Sequence, residues 1–265
     1  MKNRFNGISA SIVLACMVFA LSSPSEATYS VLWDTSHGIY SDYHPDTSGQ
    51  YEDLANHLTY NGFTVNTTDS GFTSASLSGV DVAVVCVMSA WDSAYSSVEI
   101  DALTTFVNNG GGLLIMSEYQ AAPNANIAAV ASAFDISLEV SDLSPYSVDM
   151  TNLAGHSVFD EVDTVDTVHF YAGSELGVSG DAYGIAWQDT TDKIAIAANE
   201  SYGAGRVIVL GDSTVWGSNG SNELGMADNA AFALNTFTHL AVPEPATIIL
   251  AGAGAVALAR RRRSK

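Results

Sequence analysis

The densest group of potential metal ligands in the sequence follows its first apolar segment. Asp34, His37, Asp42, His44 and Asp46 are close together there and combine imidazoles with carboxylates. Imidazole with carboxylates suits zinc or another transition metal, whereas carboxylates with carbonyl oxygens suit calcium. The spacing matches no established loop such as the EF-hand, so a polar loop with capping aspartates is the preferred alternative. No cofactor is identified, and a divalent cation remains a hypothesis.

Acidic side chains also follow later apolar segments that read as strands. Asp34 and His37 follow the first such strand, Glu118 follows the fourth, and Asp212 follows the strand that begins at Arg206. In an open parallel sheet, ligands bind beyond the carboxyl ends of the strands. We therefore expect Asp34, His37, Glu118 and Asp212, here called the acidic rim, to be the candidate ligand-binding residues.

Serine hydroxyls also follow these strands, at Ser117 and Ser213. Gly211, Asp212 and Ser213 are similar to the opening block of GDS-type esterases, but that block follows the first strand of those enzymes. Here it follows the last predicted strand, and no D-x-x-H motif comes after it. A strand end that turns through Gly211 is the preferred interpretation. No catalytic residue is assigned, although Ser117 and Ser213 remain possible nucleophiles.

The histidines outside the first cluster provide no further site. His156 lies in the segment GHSVFDEV, where we expect it to pack or to cap a turn rather than act as a base. For His57, His169 and His239 the sequence indicates no partner.

The elements that must position these residues alternate between strands and helices. An i, i+3, i+4, i+7 stripe runs from Tyr51 to Leu58 and ends at Gly62, which predicts a helix. Ser96 and Glu99 form a capping box for a second helix through Val107. Strands are predicted at 29–33, 63–67, 81–87, 112–117, 168–171, 183–188, 194–198 and 206–210.

A last helix is predicted after Asp228, which we expect to be its N-cap, with Ala230, Ala233, Leu234, Phe237 and Leu240 on one face. Strands that alternate with helices favour an α/β fold with a mostly parallel sheet covered on both faces. The second half is richer in strands than the first. No internal repeat divides the chain, so a single domain over 28–241 is predicted.

The charge of the chain argues against one class of function, and its cysteines argue against a disulfide framework. The 265 residues include 9 Lys and Arg against 29 Asp and Glu, for a formal net charge of −20. Only Lys193 and Arg206 lie between the two ends, so nucleic acid binding is not expected. Cys16 lies in the apolar N-terminal run, and Cys86 lies in a predicted buried strand, where we expect it to be a small core residue. With these two cysteines alone, no disulfide framework is expected once the N-terminal run is removed.

The N-terminal residues have the pattern of a secretory signal peptide. Lys2 and Arg4 precede an apolar run, and Ser25 and Ala27 supply the small residues that signal peptidase prefers. The prediction is a signal peptide over 1–27, cut after Ala27. A lipoprotein signal at Cys16 is the weaker alternative, because the apolar run continues past it.

The C-terminal residues 242–265 contain three parts in a fixed order. Pro243, Glu244 and Pro245 precede an apolar helix over 246–259, which spans roughly 21 Å against about 30 Å of hydrocarbon. An arginine cluster follows, which the positive-inside rule keeps in the cytoplasm. Its members are Arg260, Arg261, Arg262 and Arg263.

This tail resembles a PEP-CTERM sorting signal. The resemblance implies export, a transient anchor in the inner membrane, and recognition by an exosortase, a membrane-embedded transpeptidase-like enzyme of Gram-negative bacteria that make extracellular polysaccharide. An ordinary C-terminal membrane anchor, which predicts the same topology without cleavage, is the alternative. The expected partners are therefore signal peptidase, an exosortase-type enzyme and extracellular polysaccharide.

The central domain resembles the class I glutamine amidotransferase-like superfamily, in particular its non-catalytic branches. The similar segments are VLWDTSHG, GGGLLIMSE, GHSVFDEV, GRVIVLGDS and DNAAFALNTF. The resemblance implies a flavodoxin-like three-layer sandwich. Catalytic members carry a cysteine just after the strand that corresponds to Leu113–Met116, where this sequence has Ser117 and Glu118. Without that thiolate, glutamine amidotransferase activity is not expected.

Two functions are consistent with these observations. The first is a non-catalytic binding or matrix domain, delivered to the cell surface or the medium and associated with extracellular polysaccharide. The second is a divergent hydrolase that uses the acidic rim. The first is preferred because the sequence defines no nucleophile and base that act together.

Overall fold

The computed structural model describes residues 29–38, 45–46, 49–86, 93–143, 147–218 and 223–242. The predicted signal peptide, the apolar helix over 246–259 and the arginine cluster lie outside these residues. Within the described part of the chain, no helix is both long enough and apolar enough to cross a membrane.

The strands and helices follow one another in a mixed α/β order. The strands are β1 (Tyr29–Asp34), β2 (Phe63–Thr68), β3 (Val82–Cys86), β4 (Gly112–Met116), β5 (Ile136–Leu143), β6 (Val148–Met150), β7 (Asn152–Leu153), β8 (Val168–Phe170), β9 (Gly173–Val178), β10 (Tyr183–Trp187), β11 (Ile194–Asn199) and β12 (Arg206–Leu210). The helices are α1 (Glu52–Tyr60), α2 (Ser97–Asn108), α3 (Ala121–Ser132) and α4 (Asn229–Ala241).

Eight of these strands form one sheet in the order β2-β1-β3-β4-β12-β11-β10-β7. The five strands from β2 to β12 are parallel to one another, and β11, β10 and β7 pair in antiparallel fashion at one side. The expectation of a mostly parallel sheet is therefore confirmed. Two small antiparallel pairs, β5 with β9 and β6 with β8, complete the described strands.

Helices cover both faces of the large sheet. Successive strand residues point to opposite faces, so Trp33 packs in one core cluster and Leu32 in the other. Helices α1 and α4 contribute to the first cluster, and α2 and α3 contribute to the second. Their buried side chains include Leu54, Leu58, Phe232 and Phe237 on the first face and Leu103, Val107, Ile127 and Val130 on the second.

The two predicted helix starts have different outcomes. The capping box is confirmed, because Ser96 Oγ accepts the backbone N–H of Glu99, whose carboxylate accepts the backbone N–H of Ser96. Asp228 precedes α4 as predicted, but its side chain does not cap the helix. Its carboxylate instead accepts the backbone N–H groups of Asp166 and Thr167, 2.9 and 3.0 Å away. Asp228 therefore holds the segment before β8 rather than α4.

Several elements were not predicted from the sequence. Helix α3 and strands β5, β6, β7 and β9 fall in the segment between β4 and β10, where only β8 was expected. The predicted strands differ from the observed ones by one residue at most where both are described.

Candidate functional site

The acidic rim lies at the carboxyl ends of three parallel strands. Asp34 is the last residue of β1, Glu118 comes two residues after β4, and Asp212 comes two residues after β12. These carboxylates have exposed fractions of only 7, 2 and 0 %. They are therefore buried beneath this edge of the sheet rather than displayed on it.

Asp34 and His37 form the first of two pairs in the rim. Asp34 Oδ2 lies 2.7 Å from His37 Nδ1 and accepts a 2.5 Å hydrogen bond from the hydroxyl of Tyr95. The second oxygen, Oδ1, accepts the backbone N–H and the hydroxyl of Ser36. Burial, together with the charge of Asp34, raises the pKa of Tyr95 well above its ordinary value. Tyr95 is therefore a neutral donor to the carboxylate at physiological pH.

A second carboxylate faces the other nitrogen of His37. The Nε2 atom of His37 lies 3.3 Å from Oε1 of Glu99, whose Oε2 belongs to the capping box of α2. Gly71 lies beside this contact with a φ of +72°, and a Cβ there would collide with the Glu99 carboxylate. The imidazole, which packs 4.0 Å from the Tyr95 ring, is held between two acids.

Glu118 belongs to the second pair of the rim. Its Oε2 accepts a 2.7 Å hydrogen bond from Ser213 Oγ, and its Oε1 accepts the backbone N–H of Tyr119. Its backbone N–H donates to Asn124 Oδ1, whose amide nitrogen donates back to the Glu118 carbonyl. Burial raises the pKa of Glu118, although the Ser213 and Tyr119 donors act in the opposite direction.

Asp212 completes the second pair and accepts hydrogen bonds at both oxygens. Thr214 donates its backbone N–H and its hydroxyl to Oδ1, at 2.7 and 2.6 Å. Tyr171 and Ala172 direct their backbone N–H groups at Oδ2, at 2.8 and 3.4 Å. Burial raises the pKa of Asp212 to about 7, and the neighbouring charge of Glu118 adds to the rise.

The two pairs stand on opposite sides of β3. Two strand spacings separate β1 from β4, which is roughly 10 Å. At the end of β3, Cys86 is buried with its sulfur 3.5 Å from the hydroxyl of Tyr51, and that hydroxyl donates to the carbonyl of Ser213. Residues 87–92, which follow β3, lie outside the described part. The structure thus brings Asp34 into contact with His37. Glu118 and Asp212 follow the neighbouring strands β4 and β12, and Glu118 contacts Ser213, the residue after Asp212.

The other predicted metal ligands are not assembled by the described residues. Asp42 and His44 lie outside them, and Asp46 is exposed. The hydroxyl partners of the rim, Tyr95, Ser36 and Thr214, were not predicted from the sequence. Only Ser36 and Thr214 are close enough along the chain to have been found as donors in a turn.

The structure corrects the interpretation of two histidines that were expected to have no partner. His169 Nδ1 lies 2.6 Å from Asp149, and His239 Nε2 lies 2.6 Å from Glu200. His156 caps the 3₁₀ turn over Ser157–Phe159 as expected, because its Nδ1 accepts the backbone N–H of Val158. It also faces Glu200, so His156, Glu200 and His239 meet in a second polar cluster.

Comparison with protein families gives two matches. Residues 44–237 match the model described as "Domain of unknown function (DUF4350)". Residues 241–263 match the PEP-CTERM protein-sorting motif, which confirms that part of the tail prediction. None of the curated proteins compared with the chain matches it. The resemblance to glutamine amidotransferases is not supported by these matches.

Several solved structures share the fold at low sequence identity. The "mmIFT52 N-terminal domain" is 16% identical with a TM-score of 0.65, over 80% of this chain and 97% of that chain. The cytoplasmic protein STM3548 from Salmonella typhimurium is 15% identical with a TM-score of 0.60, over 80% and 99%. The exo-beta-1,4-mannosidase Op5Man5 from Opitutaceae bacterium strain TAV5 is 14% identical with a TM-score of 0.53, over 82% of this chain but 36% of the enzyme. At these identities the likeness concerns the fold alone.

Proposed function

The chain belongs to the DUF4350 family and carries a PEP-CTERM sorting motif, and we propose that it is an exported, non-catalytic surface domain. The motif itself implies processing by an exosortase and a location at the cell surface or outside the cell. The signal peptide over 1–27, a transient anchor over 246–259 and the domain limits 28–241 belong to this proposal. The strand order β2-β1-β3-β4-β12 supports a flavodoxin-like, three-layer arrangement for the domain.

The observation that supports a non-catalytic role is the use of the rim carboxylates inside the protein. Both oxygens of Asp34 and both oxygens of Asp212 already accept hydrogen bonds from neighbouring loops. The same is true of Glu118. Buried carboxylates with both oxygens engaged stabilise the loops that they join, and they offer little to a substrate. The rim therefore organises the carboxyl edge of the sheet.

The ligand proposed for the exposed surface is extracellular polysaccharide. A chain with a formal net charge of −20 repels anionic polymers, so it suits a neutral polysaccharide, or an anionic one bridged by divalent cations. In this proposal a divalent cation bridges the acidic surface to an anionic polysaccharide.

Co-sedimentation tests this ligand. The full-length chain is purified free of membranes. It is mixed with the neutral or the anionic fraction of the extracellular polysaccharide from its native host, in the presence of magnesium or of a chelator. We expect the protein to sediment with the neutral fraction under both conditions, and with the anionic fraction only when magnesium is present. Protein that stays in the supernatant with every fraction contradicts the proposal for polysaccharide and leaves the proposal for export intact.

A hydrolase is the second candidate, and one contact favours it. Ser213 Oγ donates to Glu118 Oε2 at 2.7 Å, which resembles a hydroxyl nucleophile beside a carboxylate base. Ser213 is fully buried, and this opposes the candidate. A fluorophosphonate probe distinguishes the two functions: labelling at Ser213 that the Ser213→Ala variant abolishes would establish a reactive serine. Absence of labelling under conditions that label a known serine hydrolase is the result that we expect.

A further inference from the structure

Two imidazoles and one carboxylate meet on the sheet edge opposite the acidic rim. His156 precedes the 3₁₀ turn Ser157–Phe159, Glu200 follows β11, and His239 lies in the last turn of α4. His239 Nε2 lies 2.6 Å and His156 Nε2 lies 3.4 Å from Glu200 Oε1. One ligand atom from each residue lies within 4.8 Å of the other two. These three residues are called the His156 cluster below.

The cluster contains a buried polar atom that needs a partner. The side chains of His156 and His239 are only 7 and 3 % exposed, and that of Glu200 is 26 % exposed. Although it faces Glu200, the Nε2 atom of His156 makes no hydrogen bond of good geometry among the described residues. A buried polar atom without a hydrogen bond lowers the stability of the folded state, so a group bound to this atom at the centre of the cluster would stabilise the protein.

The charges around the cluster favour a cation at its centre. Oε1 of Glu200 faces the Nε2 atoms of both imidazoles, at 3.4 Å from His156 and 2.6 Å from His239. Tyr183 donates its hydroxyl to Oε2 at 2.7 Å and leaves Oε1 directed at the imidazoles. The carboxylate of Glu161 lies 3.6 Å from Nδ1 of His239, so two carboxylates border this imidazole. One guanidinium also borders it, because Nη1 of Arg206 lies 3.4 Å from Nδ1 of His239 and donates to the His239 carbonyl.

We propose that the His156 cluster is a binding site for a divalent transition metal of the zinc class. Two imidazole nitrogens with one carboxylate oxygen form a ligand set typical of zinc, which leaves a fourth position for water. The 3.4 Å between His156 and Glu200 is close to the separation of two ligands around a tetrahedral zinc ion. The shorter contact to His239 must open by somewhat less than one ångström, which side-chain rotation can supply.

The hydrogen bonds of the two rings decide how each binds the metal. His239 Nδ1 lies 2.8 Å from Ser157 Oγ, which can accept a proton from Nδ1, and Nε2 would exchange its 2.6 Å contact with Glu200 for the metal. His156 differs, because its Nδ1 accepts the Val158 N–H at 3.2 Å. Metal at Nε2 moves the proton of His156 to Nδ1 and breaks this bond. Binding thus exchanges one backbone hydrogen bond of the 3₁₀ turn for a metal ligand.

The location gives the metal a structural role. His239 lies two residues before Ala241, where α4 ends and the match to the sorting motif begins. The other two ligands come from segments 83 and 39 residues earlier in the chain, as counted from residues 156, 200 and 239. A metal held by all three would fasten the last turn of α4 to the body of the domain beside the sorting tail.

Metal titration of the full-length chain tests the proposal. The protein is purified without a histidine tag, treated with a chelator and titrated with Zn²⁺ or Co²⁺ in a hundredfold excess of Mg²⁺, which occupies the general acidic surface. We expect one equivalent to bind, with the visible absorption of tetrahedral cobalt. At zinc one hundred times Kd, Tm should rise by roughly 5 to 10 °C.

Matched variants identify the ligands. His156→Gln and His239→Gln should each weaken zinc binding at least tenfold, as should Glu200→Gln. His169→Gln is the control, because His169 is also buried and lies beside two carboxylates, those of Asp149 and Glu223, but beside no second imidazole among the described residues. The zinc affinity of this variant should equal that of the parent. Equal zinc binding by the parent, His156→Gln and His239→Gln overturns the proposal, as does absence of binding by the parent.

X-ray absorption on the parent protein tests the proposal even if the variants fail to fold. X-ray absorption at the zinc edge should show nitrogen and oxygen ligands with the multiple scattering of two imidazoles. A spectrum with one imidazole, none, or a sulfur ligand contradicts the proposal, since it would assign the metal to another site such as His37 or Cys86.

Discussion

The hydroxyl of Ser213 donates a 2.7 Å hydrogen bond to the carboxylate of Glu118, 95 residues away in the sequence. The contact joins the loop after β12 to the loop after β4, and both residues are buried. A hydroxyl at this place replaces the solvent that a buried carboxyl has lost. The contact therefore stabilises the carboxyl edge of the sheet.

Removal of this donor should destabilise the domain. Ser213→Ala leaves Glu118 Oε2 buried without its hydroxyl partner, so the free energy of unfolding should fall by about 1–3 kcal/mol. Urea unfolding followed by circular dichroism measures the loss. Ser74→Ala, at an exposed serine, should lie within about 0.5 kcal/mol of the parent. Equal stability of the two variants would show that the contact contributes nothing.

The hydrogen bond between Tyr95 and Asp34 should have a similar effect on the other side of β3. Tyr95→Phe keeps the ring that packs on His37 and removes only the hydroxyl that donates to Asp34. We expect a loss of about 1–3 kcal/mol in the free energy of unfolding, because the bond is buried and its acceptor is charged. Tyr60→Phe, at a side chain that is 90% exposed, is the matched control. A loss no larger than that of the control contradicts the interpretation of Asp34 as a loop anchor.

Asp212 should make stability depend on pH. Its folded-state pKa of about 7 exceeds its ordinary value, so the folded state binds more protons than the unfolded state between about pH 4 and pH 7. The contribution of Asp212 to the free energy of unfolding is therefore largest below about pH 4, and it is lost as the pH rises toward 7. Urea unfolding at a series of pH values should show a decline across this window.

The general repulsion of an acidic protein acts in the same direction, so a charge-matched control is needed. Asp212→Asn should flatten the decline of the free energy of unfolding with pH, because Asn does not titrate. This holds even if the variant is less stable than the parent at every pH. Asp101→Asn removes one charge from the exposed surface of α2 and should keep the slope of the parent. The same slope in all three proteins would assign the decline to net charge.

Cys86 should be unreactive in the folded protein. It is in no disulfide among the described residues, it is buried at the end of β3, and it lies among apolar core side chains. Such surroundings disfavour the thiolate that reacts with electrophiles. A maleimide reagent should label it only after denaturation, as followed by mass spectrometry. Rapid labelling of the native protein would mean that the thiol is accessible.

Much of the sheet could be predicted because its central strands are short, apolar runs. Segments such as GLLIM have no polar residue to interrupt them, and helices with clear stripes or a capping box separate them. Helix α3 escaped prediction because its buried face includes Pro123 and Asn124, which are not read as core residues. Asn124 is buried because it bonds to the backbone of Glu118 in both directions.

Positions at strand ends were predictable, but their partners were not. Tyr95 reaches Asp34 from 61 residues away, and His239 reaches Glu200 from 39 residues away. Both contacts depend on how distant helices and loops pack against the sheet, and the local spacing of residues in the sequence does not predict this packing. Short strands such as β6 and β7 have too few residues for a periodic pattern to be read.

Export with loss of the sorting tail is tested by the intact mass of the protein from its native host. We expect the exported species to lack both residues 1–27 and the sorting tail, and we expect deletion of the exosortase in the same host to leave the tail in place. A stable, membrane-extracted species that retains Arg260–Lys265 in a host with an active exosortase would contradict it.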